Sequence, residues 1–243
     1  AALFFGQTAV AEEKAAEEVK PSHVEMVLVL DESGSMSDLT RDTIGGFNSM
    51  IEKEKKLDVD AHVTTVLFND QYKMLYNRRE LKDVSKMTDK DYTPGGMTAL
   101  LDAVGRTIHK MDMVAGIHRK DKGNKVLFVI ITDGEENDSK EYTYADVKKL
   151  IKDRQENAGW EFIFLGANID AAAAAENLGI DRDRAVKYKN TGSGVRANFK
   201  AVAELSDSLA KSGRVSDRWK ETVEKDEDDA CLLYTSDAAD ERS

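Results

Sequence analysis

The sequence predicts an α/β fold built on an open, mostly parallel sheet with one antiparallel edge strand and helices on both faces. Three observations carry the prediction. From Val24 onward, short β-rich apolar runs alternate with stretches of helical periodicity. The main runs are predominantly apolar, as expected of strands covered on one or both faces. The chain has 243 residues with 41% hydrophobic content, enough for one domain with a sizeable core and too few for several.

The elements follow in order. Val24 to Leu30 (VEMVLVL), Ala61 to Phe68 (AHVTTVLF), Lys125 to Thr132 (KVLFVIIT) and Trp160 to Leu165 (WEFIFL) read as buried strands. Tyr72 to Tyr76 follows Asn69-Asp70-Gln71 closely enough to be an antiparallel hairpin partner at the sheet edge. Ala185 to Lys189 reads as the last strand. Between them, Thr40 to Lys56 carries Ile44, Phe47, Met50 and Ile51 at helical spacing, and Ala99 to Met113 carries Leu100, Val104, Ile108 and Met111. Tyr142 to Glu156 repeats the pattern, Ala171 to Leu178 is a short alanine-rich helix, and Gly194 to Ser212 closes the series.

The ends read differently. Residues 1–23 are expected to be the remnant of a secretory signal, with Leu3, Phe4 and Phe5 ahead of a small-x-small Ala9-Val10-Ala11, followed by a charged linker. That reading favours an exported, periplasmic or extracellular protein over a cytoplasmic one. The folded domain is expected over residues 24–212, and residues 213–230 read as a frayed acidic tail. Residues 231–243, which hold the single cysteine Cys231, resemble the conceptual translation of a sequencing-library adapter and are set apart from the fold.

Composition narrows the function. Lys and Arg number 35 against 46 Asp and Glu, a net charge of -11 with no basic tract, so nucleic acid is not an expected partner. No apolar run approaches the roughly 18 residues of a membrane-spanning helix. One cysteine builds neither an intramolecular disulfide nor a thiolate zinc site. The four histidines, His23, His62, His109 and His118, show no ligand spacing and read as surface or partly buried residues.

In an open α/β sheet, ligands bind beyond the carboxyl ends of the strands. Three loops there converge on oxygen chemistry: Asp31-Glu32-Ser33-Gly34-Ser35, Pro94-Gly95-Gly96-Met97-Thr98 and Thr132-Asp133-Gly134. Asp31 and Asp133 end buried strands, where carboxylates are costly unless a cation neutralises them. Asp-x-Ser-x-Ser sets three oxygen side chains on one face of an extended loop, and Thr98 and Asp133 add two more. Few carboxylates among neutral hydroxyls suit Mg²⁺, with Mn²⁺ as its substitute.

VLVLDESGSM, then GGMT, then FVIITDG, in that order and spacing, resemble a von Willebrand factor type A domain with its metal-ion-dependent adhesion site. The similarity spans about residues 24–212 and looks nearest to bacterial stand-alone members. It implies a doubly wound, Rossmann-like sheet. It further implies that Ser33, Ser35 and Thr98 ligate Mg²⁺, that Asp31 and Asp133 act largely through bound waters, and that a partner protein's Glu or Asp carboxylate completes the coordination. For some members it also implies a shift of the last helix when ligand binds. Glu32 in the variable position, with Glu135, Glu136 and Asp138 after the third motif, predicts an unusually acidic rim that raises cation affinity or selects a partner with basic residues around its acidic anchor.

The expected function is therefore a non-enzymatic, metal-dependent protein-binding module for adhesion or assembly. The alternative is a Mg²⁺-dependent hydrolase or phosphatase, since the same oxygens suit phosphoryl chemistry, though no nucleophile is paired with a base and no Walker-type loop is present. A third reading is a site that only stabilises the fold.

Overall fold

The computed structural model describes residues 23–114, 124–216 and 218–226. The signal remnant, His118 and the adapter-like 231–243 stretch lie outside the described residues. Six strands form one sheet: β1 (His23–Asp31), β2 (Ala61–Phe68), β3 (Tyr72–Glu80), β4 (Asn124–Thr132), β5 (Glu161–Gly166) and β6 (Ala185–Lys187). Their order is β3-β2-β1-β4-β5-β6, and only the β2–β3 edge pair is antiparallel. The winding reverses between β1 and β4, the doubly wound arrangement the sequence predicts.

Alternation along each strand feeds two cores. On β1, Val24, Met26, Leu28 and Leu30 face one side with α1 (Thr40–Lys56) and α5 (Gly192–Ser212). Val27 and Val29 face the other with α2 (Leu100–Asp112), α3 (Tyr144–Asp153) and α4 (Ala171–Leu178). This two-sided burial is why the strands read as predominantly apolar runs. Capping residues start three of the helices: Thr143 and Asp146 form a reciprocal capping box on α3, Asp170 caps α4 and Thr191 caps α5.

The tail expected after residue 212 is corrected over its described part. Val215, Trp219 and Val223 are buried in the α1–α5 core, and the Trp219 indole N–H donates to the Asp183 carbonyl at 3.2 Å. Acidic composition hid three apolar residues at i, i+4, i+8, the spacing of one helical face.

The α1–α5 interface is the least polar-satisfied part of the core. Thr43 and Glu54 on α1 and Asn198 and Ser206 on α5 hold buried side-chain atoms without hydrogen-bond partners among the described residues. Burial, reinforced by the charge of Asp207, pushes the Glu54 carboxyl up to about 7. Folded Glu54 thus keeps its proton to about pH 7, whereas the unfolded chain releases it near the ordinary 4.5, so this group makes stability fall as pH rises between those values and leaves it flat above. Glu54→Gln should remove that fall and raise stability at pH 8 by on the order of 3 kcal/mol, measured by urea denaturation from pH 4.5 to 8.

Candidate metal centre

Parallel pairing of Leu30 with Ile131 sets Asp31 beside Thr132 at the carboxyl ends of β1 and β4, where the winding reverses. Asp31 and Asp133 are 1% and 2% exposed. Each Asp31 oxygen has a donor: the Ser33 backbone N–H to Oδ1 at 2.7 Å and the Thr132 hydroxyl to Oδ2 at 2.6 Å. Burial, and after it the charge of Asp133, still pushes the Asp31 carboxyl above its ordinary range.

The two serines join the carboxylates. The Ser35 hydroxyl donates to Asp133 Oδ1 at 2.6 Å, and Ser33 Oγ lies 3.1 Å from Ser35 Oγ. Ser35 has only one proton and gives it to Asp133, so Ser33 is the donor of that second bond. Asp133 Oδ2 is buried and has no hydrogen-bond partner among the described residues. An unpartnered buried carboxylate oxygen is costly, and a cation or a bound water would satisfy it. The remaining geometry suits a hard one: every donor is oxygen, and the Ser33–Ser35 separation is near the roughly 2.9 Å edge of an octahedron with Mg–O bonds of about 2.1 Å.

Thr98 joins from the second loop, 4% exposed, its hydroxyl 3.8 Å from where a Cβ on Gly134 would stand. It does not cap α2, whose first turn begins after Ala99 and receives no capping bond from this side chain. The loop is held by backbone bonds from Gly34 N–H to the Gly96 carbonyl and from Gly95 N–H to the Glu32 carbonyl. Gly96 has φ +75, and a Cβ there would overlap the Asp70 carboxylate, so the turn requires glycine. The five expected residues are therefore brought together, with Ser35 exposed at the opening and the others buried.

The acidic rim is corrected. Glu32 turns inward, 5% exposed, to accept the Thr93 backbone N–H, with Lys73 at 3.5 Å. Glu136 accepts from the Leu101 backbone N–H in the first turn of α2, from the Ser139 hydroxyl and from the Asp138 and Ser139 backbone N–H groups, all at 2.7–3.0 Å. It caps α2, its charge placed at the positive helix end. Asp138 lies 3.4 Å from the Lys140 ammonium. Of the rim carboxylates, Glu135 alone is exposed without a described partner of this kind.

Sequence reasoning missed the residues that support the centre. The Tyr92 hydroxyl donates to the Asp31 carbonyl at 2.6 Å, and Asp102 accepts three backbone N–H bonds from Lys140, Glu141 and Tyr142, pinning the loop after β4 to α2. Asn137 Oδ1 accepts the Thr98 N–H, and Asn137 N–H donates to the Thr98 carbonyl. Burial, with the site's carboxylates adding to it, keeps the Tyr92 and Tyr188 phenols protonated. Thr132, beside Asp133 in the third motif, is among these supports through its hydroxyl bond to Asp31.

Comparison with known proteins gives a family match. The model of the von Willebrand factor type A domain found in the TerF C terminus matches residues 23–184. Among solved structures, the open conformation of the pilus adhesin SpaC from Lactobacillus rhamnosus GG aligns at TM-score 0.61 and 14% identity, over 80% of this chain and 31% of that one. The vWF domain of the type V pili tip protein Mfa5 from Porphyromonas gingivalis aligns at 0.55 and 12%, over 82% and 100%. A von Willebrand factor type A protein from Catenulispora acidiphila aligns at 0.51 and 15%, over 76% and 43%. The alignments cover less than half of two of these three solved chains. No curated protein matches.

The reassignment of Glu136 predicts a separation of effects. Glu136→Ala strands the donors at the start of α2 and should cost about 2 kcal/mol in urea denaturation, whereas Glu135→Gln should stay within about 0.5 kcal/mol of the wild type.

Proposed function

The chain belongs to the von Willebrand factor type A family, in the group found at the TerF C terminus, and on that premise we propose that it is a non-enzymatic protein-binding domain. Its partner offers a Glu or Asp carboxylate to a divalent cation, Mg²⁺ or in its place Mn²⁺, held by Asp31, Ser33, Ser35, Thr98 and Asp133. The observation that carries this reading is the unpartnered, buried Asp133 Oδ2 beside a second buried carboxylate. When bound, the cation supplies one outward coordination position that an anionic oxygen fills.

The chain's own residues do the rest. Thr132 and the Ser33 backbone N–H fix Asp31 so that its remaining lone pairs face the centre. Ser33 and Ser35 present neutral oxygens, which keeps the total anionic charge at two carboxylates and leaves a bound cation attractive to an outside anion. Tyr92 ties the end of β1 to the loop that carries Thr98. Around the opening, Met97 at 51% and Tyr144 at 43% exposure are among the few large apolar side chains left in solvent. They provide the contact area from which affinity comes, while the carboxylate sets direction.

Two fold neighbours are pilus proteins, an adhesin and a tip protein, which accords with a binding role and with export. Among the described residues no helix is long and apolar enough to cross a membrane. The hydrolase alternative gains no support from the geometry: the Ser35 proton is committed to Asp133, and no described histidine hydrogen-bonds to either serine.

Calorimetric titration of the full chain with Mg²⁺ tests the proposal. Saturable binding is expected in the wild type, weakened by more than about 100-fold in Asp31→Ala and Thr98→Ala, with acetate binding seen only when Mg²⁺ is present. A folded wild type that takes up no Mg²⁺ would end the adhesion reading, and phosphomonoester turnover lost in Asp31→Ala would replace it with the hydrolase.

A further inference from the structure

The opposite end of the sheet holds a second convergence of ligand atoms. His23 and Glu25 lie two residues apart on β1 and so share a face, and the parallel register sets His62 of β2 directly opposite Glu25. His23 Nε2 and His62 Nδ1 are 2.8 Å apart, and each is 3.3 Å from Glu25 Oε1. This triangle starts β1, while Asp31 ends it eight residues on, roughly 26 Å away at 3.3 Å per residue. The two clusters are therefore separate.

The hydrogen bonds around the triangle leave lone pairs inside it. His23 Nδ1 lies 2.9 Å from Asp60 Oδ1 and donates to it, so Nε2 carries the lone pair in the neutral ring, and in the imidazolium a proton on Nε2 faces Glu25 and His62. An Arg78 N–H points at His62 Nδ1 from 3.3 Å, which marks that nitrogen as an acceptor too. Arg78 also holds the Glu25 carboxylate, through Nε to Oε2 at 3.0 Å and Nη2 to Oε1 at 2.5 Å. Two imidazole nitrogens and a buried carboxylate oxygen thus converge at about 3 Å with the Arg78 guanidinium at one side, an arrangement that either a shared proton or a metal cation completes.

We propose that His23, His62 and Glu25 form a second cation site, selective for Zn²⁺ over Mg²⁺, with a fourth position open to solvent. With Zn–N bonds of about 2.05 Å, the edge of a tetrahedron is roughly 3.3 Å, which two sides of the triangle already have and the third reaches by a small parting of the imidazoles. Two imidazoles with one carboxylate prefer zinc and its neighbours to the hard Mg²⁺. Asp60 behind His23, and Arg78, which holds both oxygens of Glu25, are the outer partners that orient the ligands. The fourth position faces a cavity of about 460 Å³ lined by His23, Asp60, His62 and Lys82 among others, roomy enough for water or a small ligand.

Arg78 is placed for this by strain. Between the Val63–Arg79 and Thr65–Tyr76 pairs the register of β2 and β3 shifts, and Arg78 takes φ 46 with its N–H on the Thr64 hydroxyl at 3.1 Å. A bulge that re-aims a side chain in this way is a feature of functional edges.

The test is Zn²⁺ titration of the full chain in saturating Mg²⁺, with Co²⁺ absorption as a report on four-coordinate geometry. One Zn²⁺ equivalent is expected, unaffected by Asp31→Ala, weakened more than about 100-fold in His62→Ala and about 10- to 100-fold in Asp60→Asn. His62→Gln serves as a second variant if His62→Ala unfolds by circular dichroism. Absence of stoichiometric Zn²⁺ binding, meaning that a proton alone fills the triangle, or Zn²⁺ binding undiminished in a folded His62 variant, overturns the proposal. Either result is independent of whether Mg²⁺ binds at Asp31.

Discussion

Two carboxylates buried side by side at the ends of the two central strands organise this molecule. Asp31 and Asp133 cannot both be stable as anions in an apolar interior without compensation, and the protein supplies only part of it. Asp31 receives a backbone N–H and a threonine hydroxyl, while Asp133 receives one serine hydroxyl and keeps one oxygen unpartnered. That imbalance is the observation on which the proposed cation site rests.

Most of the surrounding polar structure keeps the two carboxylates where they are. The loop carrying Thr98 is tied to β1 through Tyr92 and the Gly34–Gly96 and Gly95–Glu32 backbone bonds, and to the end of β2 through Asn69, whose side-chain amide donates to the Gly95 carbonyl. The loop carrying Asp133 is tied to α2 through Glu136 and Asp102. Five of the acidic residues that make the chain look highly charged at this end are thereby absorbed: Asp31, Glu32, Asp102, Asp133 and Glu136 each accept hydrogen bonds from the fold. Formal charge near a site is a poor measure of its field when carboxylates serve as helix caps and loop anchors.

The fold was legible because its strands are covered on both faces, so that burial shows directly as predominantly apolar runs, and because the helices between them keep one apolar stripe each. The centre was legible for a related reason: its residues follow those runs immediately, in three short motifs. What the sequence concealed depends on pairing across the chain. Glu136 looks like a rim charge until the loop folds back onto α2, and Trp219 looks like part of an acidic tail until Asp183 and the α1–α5 core receive it. His23 and His62 show no ligand spacing along the chain, since strand register, not sequence distance, makes them neighbours.

A parallel sheet has distinct ends, and here they differ in chemistry as well as in direction. At the carboxyl ends, loops leave buried strands and can bring hydroxyls and carboxylates over the strand tips, which collects hard oxygen donors around Asp31 and Asp133. At the amino ends, neighbouring strands start in register, so that side chains project directly from the sheet and groups of mixed type meet across a single pair; there the donors are two imidazoles and a carboxylate. The rigid sheet between them holds each set independently of the other. The two proposed sites, one with oxygen donors only and one rich in nitrogen, would discriminate between cations by donor type alone, without either needing a closed cage.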